Sequence, residues 1–120
     1  MRIFVAGASG AIGQPLVAEL VRRGHELSGM THSEAGARHL ADMGAAVAQA
    51  SAFDAAAVEQ ALRNARADVV IDELTSLPQH PSGMAAAAPG DRKLRIEGGG
   101  NLHRAAMAWG VRRYIQQTSG

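Results

Sequence analysis

Short apolar runs alternate along the chain with longer stretches in which apolar residues recur at helical spacing. The first run, residues 3–6 (IFVA), has no polar alternation, which is typical of a strand buried on both faces. The same kind of pattern predicts four more strands, at residues 27–31, 45–48, 68–72 and 111–116, the last of which is expected to be buried and to contain Tyr114. The strand prediction is strongest for residues 68–72 (DVVID) and weakest for residues 45–48 (AAVA).

Amphipathic stretches lie between these runs and predict helices. One carries Ile12, Leu16 and Leu20 on one face and stops at Gly24. The others are predicted to start at the caps Ser33 and Asp54, and to run from about Arg92 to Trp109. Alternating strands and helices predict βαβ units, here a Rossmann-type three-layer α/β sandwich with parallel strands in the order 3-2-1-4-5. We expect one domain over residues 1–120.

Residues 76–91 interrupt the alternation. They hold three prolines, two glycines and a run of four alanines. This composition predicts a loop of about fifteen residues, which is longer than most connections in compact domains and therefore functional or mobile.

The composition argues against a nucleic-acid-binding protein, a metalloprotein and a membrane protein. A chain of 120 residues with a net charge of +1 and 47% hydrophobic residues is a globular domain without the charge of a nucleic-acid binder. It has no cysteine, and its five histidines show no helical pair suited to a metal, so we expect no metal site. No apolar stretch approaches the roughly 20 residues that cross a bilayer, so we expect a cytoplasmic protein without a membrane partner.

Residues 7–13 (GASGAIG) carry the most informative motif, G-x-x-G-x-x-G between the first strand and the first helix. This context is the one that a dinucleotide-binding turn requires. Gly7 permits the tight exit from the strand, Gly10 lets the backbone approach a pyrophosphate, and Gly13 lets the helix pack on the strand. The sequence therefore predicts an NAD(P)-type cofactor.

The start of the helix supplies the groups that would bind the phosphates. Ser9 and the N–H groups of Ala11 and Ile12 are the predicted donors, aided by the helix dipole. A plain glycine turn is the alternative. A P-loop is excluded because no Gly-Lys-Ser/Thr follows, and G-x-S-x-G, the mark of a hydrolase elbow, is absent.

The whole chain resembles the short-chain dehydrogenase/reductase superfamily, in its extended and atypical branch of epimerase/dehydratase-like proteins and NAD(P)H-binding reductases. The segments that carry the resemblance are residues 7–13, 16–24, Asp54 with its helix, 68–71, 98–102 and 110–115. The resemblance implies that the chain is the N-terminal cofactor half of such a protein.

The resemblance also implies which residues contact the cofactor. NAD-preferring members carry an acidic residue at the end of the second strand, where this chain has Thr31. His32 and Ser33 follow it in this chain. Because the carboxylate that would repel a 2′-phosphate is missing, NADP is slightly favoured over NAD. Arg38 is a further candidate for the 2′-phosphate. The full predicted set is Gly7, Ser9, Gly10, Ala11, Ile12, Gly13, Thr31, His32, Ser51, Ala52, Leu74, Thr75 and Thr118.

Asp72 and Glu73 depart from the family pattern, whereas Gly98 matches a family glycine and only the two glycines after it are unusual. Asp72 and Glu73 stand where small residues are usual, and we interpret them as a polar strand end rather than an acid–base pair. The run Gly98–Gly100 is costly inside a helix, at roughly 1 kcal/mol per glycine relative to alanine. It indicates either a distorted helix or something packed closely on its backbone.

The family's Tyr-x-x-x-Lys pair is absent, since Tyr114 is followed by Thr118 where a lysine would stand. Catalytic residues therefore stay unknown. Our first hypothesis is the cofactor part of an oxidoreductase or epimerase/dehydratase-type enzyme that performs hydride chemistry on an alcohol or carbonyl, with the small-molecule substrate bound by a further half. The alternatives are a non-catalytic NAD(P)-binding or redox-sensing module and, less favoured, a flavin or other nucleotide in the same cleft. A homo-oligomer is left open.

Overall fold

The predicted strands form one parallel sheet. The computed structural model describes residues 1–8, 13–74 and 93–116, without the side chain of Arg95. The strands are β1 (Arg2–Ala6), β2 (Glu26–Thr31), β3 (Ala46–Gln49), β4 (Val69–Asp72) and β5 (Arg113–Gln116). Their order is β3-β2-β1-β4-β5 and each neighbouring pair is parallel, which confirms the predicted Rossmann-type topology.

Helices connect the strands at the predicted places. They are α1 (Gly13–Arg22), α2 (Glu34–Asp42), α3 (Ala55–Ala65) and α4 (Gly99–Trp109). The side chain of Ser33 accepts the N–H of Gly36 at 3.0 Å, and Asp54 accepts that of Ala57 at 3.1 Å. Both predicted caps are therefore confirmed.

The glycine run before α4 marks a distortion and a close contact together. Leu94–Gly98 forms a π-helical turn that leads into α4. A Cβ on Gly98 would lie only 2.9 Å from the Cβ of Ala52. Both explanations that the sequence left open therefore apply at this point. The predicted start of the helix at Arg92 and the predicted loop 76–91 lie outside the described residues.

The sheet has an apolar core on each face. Phe4 and Val70 face α3 and α4, whereas Val5 and Ile71 face α1 and α2. Consecutive residues of β1 and β4 are thus buried on opposite sides, as the continuous apolar runs predicted. No helix in the described ranges is long and apolar enough to cross a membrane.

The fifth strand is less buried than the sequence predicted. β5 is confined to Arg113–Gln116 and Ile115 is 42% exposed, while Tyr114 is half-buried and not inside a buried strand. β3 at the other edge is also largely exposed. Each of these strands has one neighbour in the described sheet, so one side of its backbone has no paired strand there.

Candidate cofactor site

Several of the predicted cofactor residues lie together at one edge of the sheet. Because the strands are parallel, their carboxyl ends meet there, and the order of the strands reverses between β1 and β4. Ligands of open α/β sheets bind at such a point. The predicted residues placed at this edge are Gly7, Gly13, Thr31, His32, Ser51, Ala52 and Leu74. The others, Ser9, Gly10, Ala11, Ile12, Thr75 and Thr118, lie outside the described residues.

The glycine turn has space only for glycine at both described positions. Gly7 has a φ of +76°, and a Cβ there would lie 2.4 Å from the carbonyl oxygen of Glu73. A Cβ on Gly13 would lie 2.4 Å from the carbonyl oxygen of Gly7. The N–H groups of Gly7 and Ala8 both donate to the carbonyl of Met30, at 3.2 and 3.3 Å. β1, β2, β4 and α1 thus meet without intervening side chains, which fits a turn over which a pyrophosphate lies.

The end of β2 offers hydroxyl groups and a histidine but no carboxylate. Thr31 is 5% exposed, and its Oγ1 accepts the N–H of Ser33 at 3.4 Å. His32 is exposed, and the hydroxyl of Ser33 caps α2. The guanidinium Nη2 of Arg38 lies 3.9 Å from the carboxylate Oε1 of Glu34, and both side chains are 80% exposed. A weak exposed pair of this kind leaves the guanidinium free to move.

The segment after β3 is held by a residue that the sequence did not single out. The side-chain amide of Asn101 in α4 donates to the carbonyl oxygen of Ala52 at 2.9 Å. The hydroxyl of Ser51 accepts the N–H of Phe53 at 3.2 Å, which tightens the turn before α3. Together with the close approach of Gly98 to Ala52, this bond holds the segment that contains the predicted cofactor residues Ser51 and Ala52 against α4 and the turn that leads into it. Asn101 was noticed only as part of the family pattern.

The end of β4 is organised around a buried carboxyl group. Asp72 is 5% exposed, with one oxygen accepting the N–H of Leu74 at 2.9 Å and the other accepting the hydroxyl of Tyr114 at 3.2 Å. Burial raises the pKa of Asp72, and the two hydrogen bonds partly offset it. Burial and the neighbouring Asp72 also raise the pKa of Tyr114 well above its usual range. The rings of His103 and Tyr114 pack edge-to-face, with 5.0 Å between their centroids.

The described part of the chain holds no group of three acidic or histidine side chains placed to bind a metal ion. A groove of about 530 Å³ lies at the opposite edge of the sheet, between Arg2, Leu27, Ala46 and Arg66. That edge carries the amino ends of the strands. The predicted cofactor residues that the structure describes lie instead at the carboxyl edge.

Comparison with known proteins points to the same cofactor. The family model for NAD(P)H-binding proteins matches residues 7–120. The 3-diazoavenalumate denitrifying reductase of a Streptomyces species is 40% identical over 118 residues, which are 98% of this chain and 38% of that protein.

Solved structures agree with this assignment. The UDP-glucose 4-epimerase of Thermus thermophilus, in complex with NAD, is 26% identical with a TM-score of 0.81, over 95% of this chain and 36% of that one. A short-chain dehydrogenase/reductase superfamily protein from Agrobacterium tumefaciens, with bound NAD, is 25% identical with a TM-score of 0.75, over 98% and 32%. The chain thus spans between 32% and 38% of the length of these three relatives.

Proposed function

This chain belongs to the NAD(P)H-binding family, and from that premise we propose that it is the N-terminal cofactor domain of a longer NAD(P)H-dependent reductase. The observation that carries the proposal is the 40% identity, over 98% of this chain, to a protein named as a reductase. The identity to the Thermus UDP-glucose 4-epimerase is lower, at 26%. Cytoplasmic localisation and association between copies of the chain are part of the same proposal.

The residues of this chain would hold the cofactor along the carboxyl edge of the sheet. The turn from Gly7 to Gly13 would face the pyrophosphate, with Ser9, Gly10, Ala11 and Ile12 supplying donors. Thr31 and His32 would face the adenosine ribose, and Ser51 and Ala52 the adenine. Leu74, Thr75 and Thr118 would border the nicotinamide half. When bound, the nicotinamide supplies the hydride, and the protein supplies orientation and the exclusion of water.

The substrate class follows from the direction of the reaction. A hydride donor requires an electron-poor acceptor, so we propose a small organic molecule with a diazo or carbonyl group. The name of the Streptomyces relative supports the first, and the family resemblance supports the second. The test is oxidation of NADPH by the full-length protein with a panel of aromatic diazo compounds and carbonyls. Turnover of a nucleotide sugar instead would favour an epimerase, and cofactor binding without any turnover would favour a non-catalytic module.

Residues 1–120 alone are expected to turn over substrate at least about 100-fold more slowly than the full-length protein, because positioned acid–base groups contribute 10²- to 10⁴-fold. The family's Tyr-x-x-x-Lys pair is absent here, and the hydroxyl of Tyr114 donates to Asp72. Steady-state rates of the two proteins with the same substrate and NADPH test this. Equal rates would place the catalytic groups within these residues.

Cofactor choice is expected to favour NADP and to reverse in Thr31→Asp, because a carboxylate at the end of β2 repels a 2′-phosphate. We expect the ratio of the two dissociation constants to change by at least about tenfold, or 1.4 kcal/mol. Thr31 is buried, so Thr31→Asn is the uncharged control for any loss of stability. Competition binding of NAD and NADP measures the ratio. A wild-type protein that already prefers NAD tenfold would contradict the prediction.

A further inference from the structure

The residues between β3 and α3 are bonded to two other elements of the carboxyl edge. We call residues 50–54 the β3–α3 segment. The N–H of Ala50 donates to the carbonyl oxygen of Thr31, the last residue of β2, at 2.9 Å. The carbonyl oxygen of Ala52 accepts the side-chain amide of Asn101, in α4, at 2.9 Å. The segment therefore lies between the end of β2 and α4, and its bond to α4 depends on a single side chain.

The peptide that joins Ala52 to Phe53 has both of its polar groups engaged. Its carbonyl oxygen accepts the amide of Asn101, and its N–H donates to the hydroxyl oxygen of Ser51 at 3.2 Å. Ala52 is 6% exposed, and a Cβ on Gly98 would lie 2.9 Å from its Cβ. Water replaces a lost hydrogen bond poorly in so closely packed a place. The orientation of this peptide, and with it the position of Ser51, therefore depends on Asn101.

The side chain of Asn101 is itself held in one orientation. Its oxygen accepts Nη2 of Arg104, one turn further along α4, at 2.5 Å. A guanidinium has only donors, so it can bind the oxygen of the amide and not the nitrogen. The nitrogen is thereby directed to the carbonyl oxygen of Ala52, which can only accept. Every donor in this chain of three residues thus meets an acceptor.

We propose that Asn101 is a positioning residue that holds Ser51 and Ala52 in the arrangement that receives the adenine of the cofactor. The inference rests on the proposed function, in which these two residues face the adenine. A segment that is already fixed needs no ordering when the ligand binds. A loosened segment lowers the apparent affinity in proportion to the fraction of molecules that keep the binding arrangement. Loss of one hydrogen bond of this kind corresponds to about a fivefold to tenfold loss of affinity.

The two halves of NAD separate the two ends of the site. AMP carries the adenosine with one phosphate, and nicotinamide mononucleotide carries the other half. Displacement of fluorescent NADH or NADPH from the full-length protein by each half measures the two affinities. Asn101→Ala should weaken AMP and the whole cofactor by about fivefold to tenfold and leave nicotinamide mononucleotide unchanged. In turnover the KM for the cofactor should rise by the same factor at constant kcat.

Trp109→Phe is the matched control for stability. The indole N–H of Trp109 also donates from α4 to a backbone carbonyl, that of Ala67, at 3.1 Å. Ala67 precedes β4 and so lies at the amino edge of the sheet, away from the predicted cofactor residues. Trp109→Phe should lower the free energy of unfolding about as much as Asn101→Ala does. It should leave the affinities for AMP, nicotinamide mononucleotide and the whole cofactor unchanged.

Arg104→Met is a second test that does not disturb the core. Arg104 is exposed, and its removal leaves Asn101 in place without the group that orients it. AMP affinity should fall in the same direction by a smaller factor, so the inference is tested even if Asn101→Ala does not fold.

Three results would overturn the inference. They are unchanged AMP affinity in Asn101→Ala or, where that variant does not fold, in Arg104→Met, equal losses for AMP and nicotinamide mononucleotide, and a loss of AMP affinity of the same size in Trp109→Phe. Failure of the wild-type protein to bind NADH and NADPH would instead overturn the proposed function.

Discussion

Gly13→Ala is expected to lower the free energy of unfolding by about 2–3 kcal/mol, as overpacking of a closely packed site does. The added Cβ would lie 2.4 Å from the carbonyl oxygen of Gly7 and 2.9 Å from the Cα of Ala8. Both are backbone atoms in the turn between β1 and α1, so relief requires the helix to move away from the sheet. Urea unfolding followed by circular dichroism measures the loss.

Gly100→Ala is the matched control for this substitution. It makes the same chemical change inside α4, where the nearest atom is the end of the flexible Arg104 side chain at 3.3 Å. An alanine in a helix interior should raise stability by about 0.5–1 kcal/mol. Equal effects at the two positions would show that Gly13 serves no special packing role and that the turn is wrongly interpreted.

Gly10→Val is expected to weaken cofactor binding by at least about 100-fold, or 2.7 kcal/mol, while the fold is kept. A side chain at the central glycine of the motif would occupy the place of the pyrophosphate. The position is inferred from its spacing between Gly7 and Gly13, whose geometry fits the motif on either side. Calorimetric titration with NADPH, beside a thermal unfolding curve of the same sample, separates lost binding from lost structure. Unchanged affinity in a folded variant would refute the role of Gly10.

Most of the fold follows from local features of the sequence. Neighbouring residues are enough to predict the buried strand β1 from its continuous apolar run and the helix caps Ser33 and Asp54. They also predict the alternation of strands and helices from the spacing of apolar residues. The order of strands then follows from right-handed crossovers. The predicted order already places β5 at an edge of the sheet, but the apolar run of residues 111–116 was taken as a buried strand, so the exposure of its residues was not predicted. A consequence of this exposure is that Tyr114 is half-buried.

The candidate site, like the fold, could be predicted from the sequence only in part. The strand-end residues Thr31 and Ala52 reach one edge because parallel strands must end together. The bonds that fix this edge join residues distant in sequence. Asn101 reaches Ala52 across 49 positions, and Tyr114 reaches Asp72 across 42. They depend on the register of β4 with β5 and on how closely α4 approaches, and a single sequence contains neither quantity.

Direct titration of the full-length protein with NADPH and NADH tests the central claim most directly. We expect saturable one-to-one binding of at least one of them at micromolar concentration, with competition by ADP-ribose because most of the contacts proposed for this chain are to the pyrophosphate and the adenosine. Absence of saturable binding up to about 1 mM, where the binding free energy would be weaker than about −4 kcal/mol, would contradict it.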